Sequence, residues 1–374
     1  HTILPELFIC GAAFALLMAD LFIDAKRRSL IHFLAITVLL ATLLITVRDL
    51  TSTTITAFSG MFIRDLASDI LKITVYVVTA FSFIYAKPYL IERGLYKSEY
   101  YVLCLFAVLG MMLMISAGNL TVLYLGLELV ALSSYGLVGL DRDNPIASEA
   151  AMKYFVLGAI ASGLLLYGMS MMYGATGSLQ LDTIYLAAAQ TTSPFMFKLG
   201  VVFILAGIAF KFGAAPFHMW LPDVYQGAPT AVTAFISSAP KLAAFAMAYR
   251  LLESAAGVTA SDWVPMLAGI AALSLILGNL MALVQSNFKR LLAYSTISHV
   301  GFLLLGMLTA TPAGYAASMF YAISYSIMAV AAFGSIILLS RSGFDAGEIN
   351  DFKGLWVKNP GYAFLILFVI ASLA

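Results

Sequence analysis

Apolar runs of about 20 residues recur along almost the whole chain, and they constrain its fold more than any other feature. A run of that length crosses the hydrocarbon core of a bilayer as one α-helix. Only 10% of the residues are charged, whereas soluble domains carry about 25%. The sequence therefore predicts an all-α membrane protein that crosses the bilayer many times, and it argues against a soluble enzyme or a transmembrane barrel.

We predict eleven complete spans and the start of a twelfth, with an interruption in the seventh. The last apolar run, 360–374, is shorter than the roughly 20 residues needed to cross. It indicates either a truncated chain or one half of a second broken helix. The predicted complete spans lie near 3–23, 30–48, 66–88, 99–117, 119–140, 147–173, 196–226, 229–252, 263–284, 290–309 and 314–340.

The basic residues of the predicted loops support this count. Odd-numbered loops carry twelve lysines and arginines, whereas even-numbered loops carry three, Arg48, Arg64 and Arg250. The positive-inside rule then places the odd loops in the cytoplasm, or on the equivalent matrix or stromal side, and the N-terminus outside. The odd-loop residues are Lys26, Arg27, Arg28, Lys87, Arg93, Lys97, Arg142, Lys289, Arg290, Arg341, Lys353 and Lys358.

Span 7 carries a lysine beside a helix break, in the stretch LAGIAFKFGAAPFHMWLPDVYQGAP at 205–229. Lys211 at mid-bilayer would cost roughly 2.5–3.5 kcal/mol. Gly213 and Pro216 break the helix, and Pro216 cannot donate to the carbonyl of Phe212, which is expected to be free beside Lys211. Lipid cannot satisfy such a group, so the break must be buried in protein or line water. Together with the nearby His218, this pattern predicts an ion or proton path.

Two more ionisable residues are expected deep in the membrane. Lys241 lies at the midpoint of span 8 and follows Pro240, which frees the carbonyl of Ile236. Glu128, in span 5, is flanked on its helix face by polar residues at positions 121, 124 and 135. A lone buried carboxylate needs a partner, and we predict Lys211. Glu128, Lys211 and Lys241 are therefore the predicted proton relay.

Other ionisable residues allow two interpretations. Lys153 follows Glu149 by four residues, which suits either a local ion pair or a place in the relay. His299 and His218 are compatible with a structural hydrogen bond or with proton transfer.

Two lysines have simpler expected roles. Lys72 is expected to pair with Asp69, three residues before it. Lys198 is expected at the membrane edge, where a long side chain reaches water.

Composition argues against several other functions. Cys10 and Cys104 lie in apolar runs without a CxxC pair or a Cys/His cluster, so we predict neither a metal site nor a disulfide. The chain has no glycine-rich nucleotide loop, which argues against NADH, FMN or an iron–sulfur cluster on this chain and against a redox catalytic site. The net charge of +1 gives no basis for nucleic-acid binding.

Several motifs together resemble the antiporter-like membrane subunits of proton-pumping NADH:quinone oxidoreductase, respiratory complex I, over nearly the whole chain. The stretch YQGAP at 225–229 distinguishes three large siblings in that family. Subunits L and M, and the related Mrp antiporters, usually have an acidic residue followed by Gly-Pro-Thr-Pro there. The stretch therefore favours the third sibling. The other motifs are LGLELVAL, EAAMKYFVLGA, GIAFKFGAAPFHMWLPDVYQGAP, SSAPKLAAF and NFKRLLAYSTISHVGF.

The resemblance implies fourteen helices with two inverted five-helix repeats, each containing one broken helix. Applied to this chain, it gives N-terminal helices in 1–98, a first repeat in 99–252 and a second, truncated repeat in 263–374. Weak similarity between spans 6 and 11, five spans apart, agrees with inversion. The family's key residues correspond to Glu128, Lys211 and Lys241.

The resemblance also implies the setting of this chain. We expect other membrane subunits of complex I and the lipid bilayer as partners, with NADH, FMN, iron–sulfur clusters and quinone on partner subunits. A bacterial plasma membrane is the first expectation, and a mitochondrial inner or thylakoid membrane the second. Quinone reduction elsewhere would drive proton pumping through the relay. The alternatives are an Mrp-type cation/proton antiporter, a membrane-hydrogenase subunit or a scaffold without transport.

Overall fold

The computed structural model describes residues 2–23, 29–340 and 344–373. Within these ranges, ten segments are long and apolar enough to cross a membrane, which confirms the multi-pass helical prediction. The first predicted span is a 17-residue helix, α1, that packs against its neighbours. Lys26, Arg27, Arg28 and Arg341, four of the odd-loop residues, lie outside the described ranges.

The helices and strands follow one another along the chain in three parts. The N-terminal part contains α1 (Leu4–Asp20), α2 (Ser29–Arg48), a hairpin of β1 (Ile55–Ala57) and β2 (Phe62–Arg64), and α3 (Leu66–Glu92). The middle part contains α4 (Ser98–Ile115), α5 (Leu120–Val138), α6 (Pro145–Thr176), α7 (Leu181–Ala188), α8 (Pro194–Phe212), α9 (Trp220–Gly227), α10 (Thr230–Ile236) and α11 (Ala239–Leu252). The last part contains α12 (Ala260–Leu283), α13 (Phe288–Met307), α14 (Pro312–Leu339), α15 (Leu355–Lys358) and α16 (Pro360–Leu373).

Span 8 is the most buried crossing segment, and it is interrupted. α10 ends at Ile236 and α11 begins at Ala239, with Ser238 at φ −112° and ψ −82° between them. Pro240 occupies the first turn of α11, a position where a missing backbone N–H costs little. The predicted span over 229–252 is confirmed as Thr230–Leu252, with an interruption at Ser237 and Ser238. The interruption was not predicted, because Pro240 was treated as part of a helix interior and not of a helix start.

The serine hydroxyls compensate for this interruption. Ser238 Oγ donates to the carbonyl oxygens of Ala234 at 2.6 Å and Phe235 at 3.1 Å, and Ser237 Oγ donates to Ala234 at 3.4 Å. The carbonyls of Ala234 and Phe235 at the end of α10 thus have hydroxyl partners, which suits membrane-embedded backbone. Span 8 packs against α3, α4, α8 and α14, which places Lys241 at the centre of the bundle.

Two glycines set the close crossing of α4 and α5. A Cβ atom on Gly110 would lie 2.6 Å from the carbonyl oxygen of Gly126, and one on Gly126 would lie 2.7 Å from that of Gly110. Backbones this close require small residues at membrane helix interfaces. The crossing fixes α5, and with it Glu128, against the interior helix α4.

The ion pair predicted between Lys72 and Asp69 is wrong. Lys72 Nζ instead lies 2.6 Å from the Glu6 carboxylate on α1, and Asp69 accepts a 3.0 Å hydrogen bond from Arg64 on β2. Helical spacing identifies neighbours along one helix, and here partners from other elements replace them. Both pairs are almost fully buried and join α1, the hairpin and α3.

Lys198 has the exposed position expected of it, and the two cysteines differ in burial. Cys10 and Cys104 are free thiols, and Cys104 is completely buried. Lys198 is half exposed and pairs with Asp262 at 2.9 Å, an ion pair that the sequence did not indicate.

Candidate functional site

The predicted helix break is present in span 7. α8 ends at Phe212, followed by Gly213 in the left-handed conformation at φ 74° and a cis peptide bond between Ala215 and Pro216. Helical structure resumes at Trp220. Gly213 is required here because a side chain is rarely tolerated at this φ and because a Cβ atom would overlap Leu221.

Several backbone groups released by the break find partners within the protein. The carbonyl of Phe210 accepts from Gly213 N at 2.9 Å and from the indole Nε1 of Trp220 at 3.0 Å. Ala215 N donates to Ser274 Oγ at 2.9 Å. Gly213 to Ala215 are therefore buried in protein, one of the two environments that the membrane allows, whereas Pro216 and Met219 are exposed.

Lys241 is the hydrogen-bond donor to the Phe212 carbonyl, which we expected to lie free beside Lys211. Its ammonium donates a 2.6 Å hydrogen bond to the Phe212 carbonyl oxygen, so the expectation that this carbonyl is free was wrong. Lys241 is 3% exposed, and its Nζ lies 5.7 Å from the ring centre of Trp220. A hydrogen bond and a cation–π contact replace the water that a buried ammonium loses.

Trp220 connects the two sides of the break. Its ring stacks on Tyr154 of α6 with centroids 4.6 Å apart, and on Phe210 of α8 at 5.4 Å. Lys211 Nζ lies 6.0 Å from that same Phe210 ring. The two lysines are thus attached to one aromatic cluster, although they belong to different spans.

Glu128 and Lys211 interact electrostatically but do not form a contact ion pair. Lys211, in the last turn of α8, senses the Glu128 charge, and the separation of their charged atoms exceeds 4.0 Å. Glu128 also interacts with Tyr124 and Tyr135 on its own helix face. Its Oε1 is buried and has no hydrogen-bond partner within the described chain. The predicted partners are therefore neighbours with a gap between them.

Lys153 forms ion pairs in two directions. Its Nζ lies 2.8 Å from Glu149 on α6 and 2.8 Å from Asp223 on α9. Asp223 also pairs with Arg290 of α13 at 2.7 Å. Sequence reasoning missed Asp223, although an acidic residue just after a helix break was a usable signal.

The two candidate histidines have different surroundings. His218 lies in the non-helical stretch before α9, and its Nδ1 is buried with no hydrogen-bond partner among the described residues. His299, on α13, shares a 2.7 Å hydrogen bond with the hydroxyl of Tyr321 on α14. His218 thus keeps an unused polar atom beside the break, whereas His299 is already held by a partner helix.

Hydroxyl groups continue from span 8 into the second half of the bundle. Ser326 Oγ donates to the carbonyl of Ser238 at 3.2 Å. The adjacent Tyr325 donates to Thr296 Oγ1 at 2.7 Å, and its ring centre lies 5.1 Å from that of His299. A series of polar side chains therefore leads from the start of α11 to α13 and α14.

Two neighbouring cavities open among the odd-numbered loops. The larger, about 570 Å³, is lined in part by Lys289, Asp345 and Glu348. The smaller, about 150 Å³, contains Lys153 and Asp223. Both are lined by Ile146, Gln226 and Gly227, so they adjoin at the end of α9.

Lys289 lines the larger cavity and contacts the backbone just before span 8. It is 5% exposed, donates to the Ala228 carbonyl at 3.2 Å and lies 3.8 Å from Asp345. In the ranges that the structure describes, no cluster of three or more His, Cys, Asp or Glu residues could hold a metal ion.

Comparison with known proteins identifies relatives over the whole chain. A family model for the transmembrane part of the NADH:quinone oxidoreductase/Mrp antiporter proteins matches residues 117–374. NADH-quinone oxidoreductase subunit N of Xanthomonas euvesicatoria is 55% identical over 372 residues, covering 100% of this chain and 76% of the relative. The protein of the same name from Thioalkalivibrio sulfidiphilus is 51% identical over 376 residues, covering 100% and 78%. These names confirm the preference for the third sibling.

Solved structures share the fold. A chain of respiratory complex I from Thermus thermophilus superimposes with a TM-score of 0.83 at 30% identity, covering 99% of this chain and 78% of that one. A chain of the Mrp complex from a Dietzia species gives a TM-score of 0.85 at 23% identity, covering 99% and 70%. The second similarity supports the fold alone.

Proposed function

The chain belongs to the NADH:quinone oxidoreductase/Mrp antiporter family, and we propose that it moves protons through a relay of Glu128, Lys211 and Lys241. It is a proton-translocating membrane-arm subunit of an NADH:quinone oxidoreductase, and it sits among the other membrane-arm subunits. The relay itself is our assignment from the geometry of the helix break.

The hydrogen bond from Lys241 to the Phe212 carbonyl is the observation that carries this proposal. Phe212 is covalently adjacent to Lys211, so a change in the charge of either lysine acts on the same short piece of backbone. Burial in a medium of low dielectric constant favours a neutral lysine, whereas a nearby carboxylate favours a charged one. Each lysine is therefore sensitive to the charge state of its neighbour.

We propose that the gap between Glu128 and Lys211 is part of the mechanism. When the Glu128 carboxylate approaches, Lys211 holds its proton; when the carboxylate withdraws, Lys211 gives up a proton and Lys241 responds to the new charge. The energy would come from quinone reduction elsewhere in the complex. The hydroxyls of Ser326, Tyr325 and Thr296 would then lead toward His299.

The two cavities support access from the odd-loop side. Lys153 and Asp223 line the smaller one, so this network is our candidate access route, with His218 beside the break. We assign the odd loops to the cytoplasm of a bacterium and the N-terminus to the periplasm, from the distribution of basic residues. Labelling of single cysteines in loops on each side of intact cells tests this orientation.

We further propose that NADH, FMN, iron–sulfur clusters and quinone bind to partner subunits. The observation behind this proposal is the sequence itself, which lacks a nucleotide-binding loop and carries two separate cysteines. Iron and flavin analysis of the isolated subunit tests it, and a stoichiometric cofactor on this chain would contradict it.

The relay is tested by Glu128→Gln and Lys211→Ala in the assembled complex. Each variant should lower proton pumping in membrane vesicles while the complex still contains all its subunits. Lys198→Ala is the matched control, because Lys198 lies in the same helix as Lys211 but at the exposed end with its own partner. Normal pumping by a fully assembled Lys211→Ala complex would remove Lys211 from the path.

A further inference from the structure

A cleft of about 290 Å³ opens between α1, α4 and α5 at their odd-loop ends, away from the helix break. Its inner wall is apolar, formed by Leu17 of α1 and Phe106 of α4 among others. Gly136 of α5 and Gly139, the residue after its end, also line it and contribute no side chains to fill it. The interior of the cleft therefore offers space to an apolar group from the surrounding bilayer.

The mouth of the cleft carries two cations. Lys97 and Arg142 both line it, and within the described chain neither forms an ion pair. Glu99 is the one acidic residue among the described lining residues, so the lining has a net positive charge. These residues come from predicted odd loops 3 and 5, which lie at the level of lipid headgroups when the helices span the membrane.

Lys97 is also the N-cap residue of α4, and no side chain caps that helix end. The first backbone N–H groups of a helix lack partners, and the helix dipole is positive at this end. A lysine there is electrostatically unfavourable, and Glu99 in the first turn of α4 offsets this with a single negative charge. The uncapped helix end and the two unpaired cations thus both favour the binding of an anion.

We propose that this cleft binds one anionic phospholipid, with an acyl chain between α1, α4 and α5 and its phosphate between Lys97 and Arg142. Basic pockets between membrane helices on the cytoplasmic side have the chemistry that anionic lipid headgroups require. The apolar wall accounts for the acyl chain, which an inorganic phosphate would leave unused. This site does not depend on the proton relay.

Photolabelling of the wild-type complex tests the site without any substitution. The complex is reconstituted in phosphatidylcholine vesicles with a trace of phosphatidylglycerol that carries a photoreactive group on one acyl chain. We expect labelled peptides from 98–115 and 120–138, with labelling reduced by unlabelled phosphatidylglycerol but not by added phosphatidylcholine or inorganic phosphate. Equal competition by phosphatidylcholine, or no label at the cleft because a neighbouring subunit covers it, would overturn the proposal.

Charge removal provides the second test. Lys97→Gln combined with Arg142→Gln should weaken competition by phosphatidylglycerol roughly 30-fold, given the usual contribution of basic residues near anionic lipid. Lys353→Gln combined with Lys358→Gln removes the same charge from exposed residues and should leave competition unchanged. Equal competition in both double variants would contradict the site. If the first pair prevents assembly, the wild-type competition decides.

Discussion

The ammonium group of Lys241 donates a 2.6 Å hydrogen bond to the carbonyl oxygen of Phe212, the last residue of α8. This bond joins two interrupted spans at the points where each loses its helical backbone pattern. It also gives a buried cation a polar partner that is not a carboxylate. The position of Lys241 therefore depends on the shape of the break.

Gly213→Ala should destabilise the break more than a matched glycine substitution. The left-handed conformation costs an alanine about 1–2 kcal/mol, and at Gly213 the new methyl group would also overlap Leu221. Gly177→Ala is the control, because Gly177 has a similar φ of 71° and open space around it. Thermal unfolding of the assembled complex should show the larger decrease for Gly213→Ala. Equal decreases would mean that contact with Leu221 contributes nothing.

The Glu6–Lys72 pair should behave as a buried ion pair. Removing one partner, as in Glu6→Leu or Lys72→Met, leaves the other buried and unpaired and should cost about 3–5 kcal/mol. The double variant Glu6→Leu with Lys72→Met replaces both charges by apolar groups and should recover much of that loss. Thermal stability of the four proteins gives the double-mutant cycle. Additive losses would show that the two side chains do not interact.

The helix break was predicted correctly and two of the side-chain partners were not, and this difference has a physical cause. The break at Gly213 and Pro216 was predictable because it follows from the local chemistry of those residues. The partner of the Phe212 carbonyl was not, because it comes from a helix 29 residues away whose orientation depends on tertiary packing. Lys72 was assigned wrongly for the same reason, since periodicity reports neighbours on one helix only.

Elements outside the spans were also missed. The β1–β2 hairpin and the short helix α7 lie in stretches that the sequence assigned to loops. Strands of three residues leave almost no periodic signal, and an eight-residue helix is too short for a span. The inverted repeats and the proton relay remain predictions.

Asp223→Asn should impair proton access more than Glu149→Gln. Asp223 bridges Lys153 and Arg290, so its neutralisation leaves two cations facing each other beside the smaller cavity. Glu149→Gln removes one partner of Lys153 but keeps that bridge. The initial rate of pumping in vesicles should fall further for Asp223→Asn, with only a small change in thermal stability because exposed pairs contribute little. The same rate in both variants would argue that Asp223 only holds helices together.

The most direct measurement is the number of protons pumped per NADH oxidised by a Lys241→Met complex with normal subunit content. Methionine keeps much of the packing volume of lysine but cannot carry a proton or donate to Phe212. We predict that this ratio falls while the quinone site elsewhere in the complex remains occupied. An unchanged ratio in a fully assembled complex would contradict the relay, because protons would then cross without the lysine at its centre.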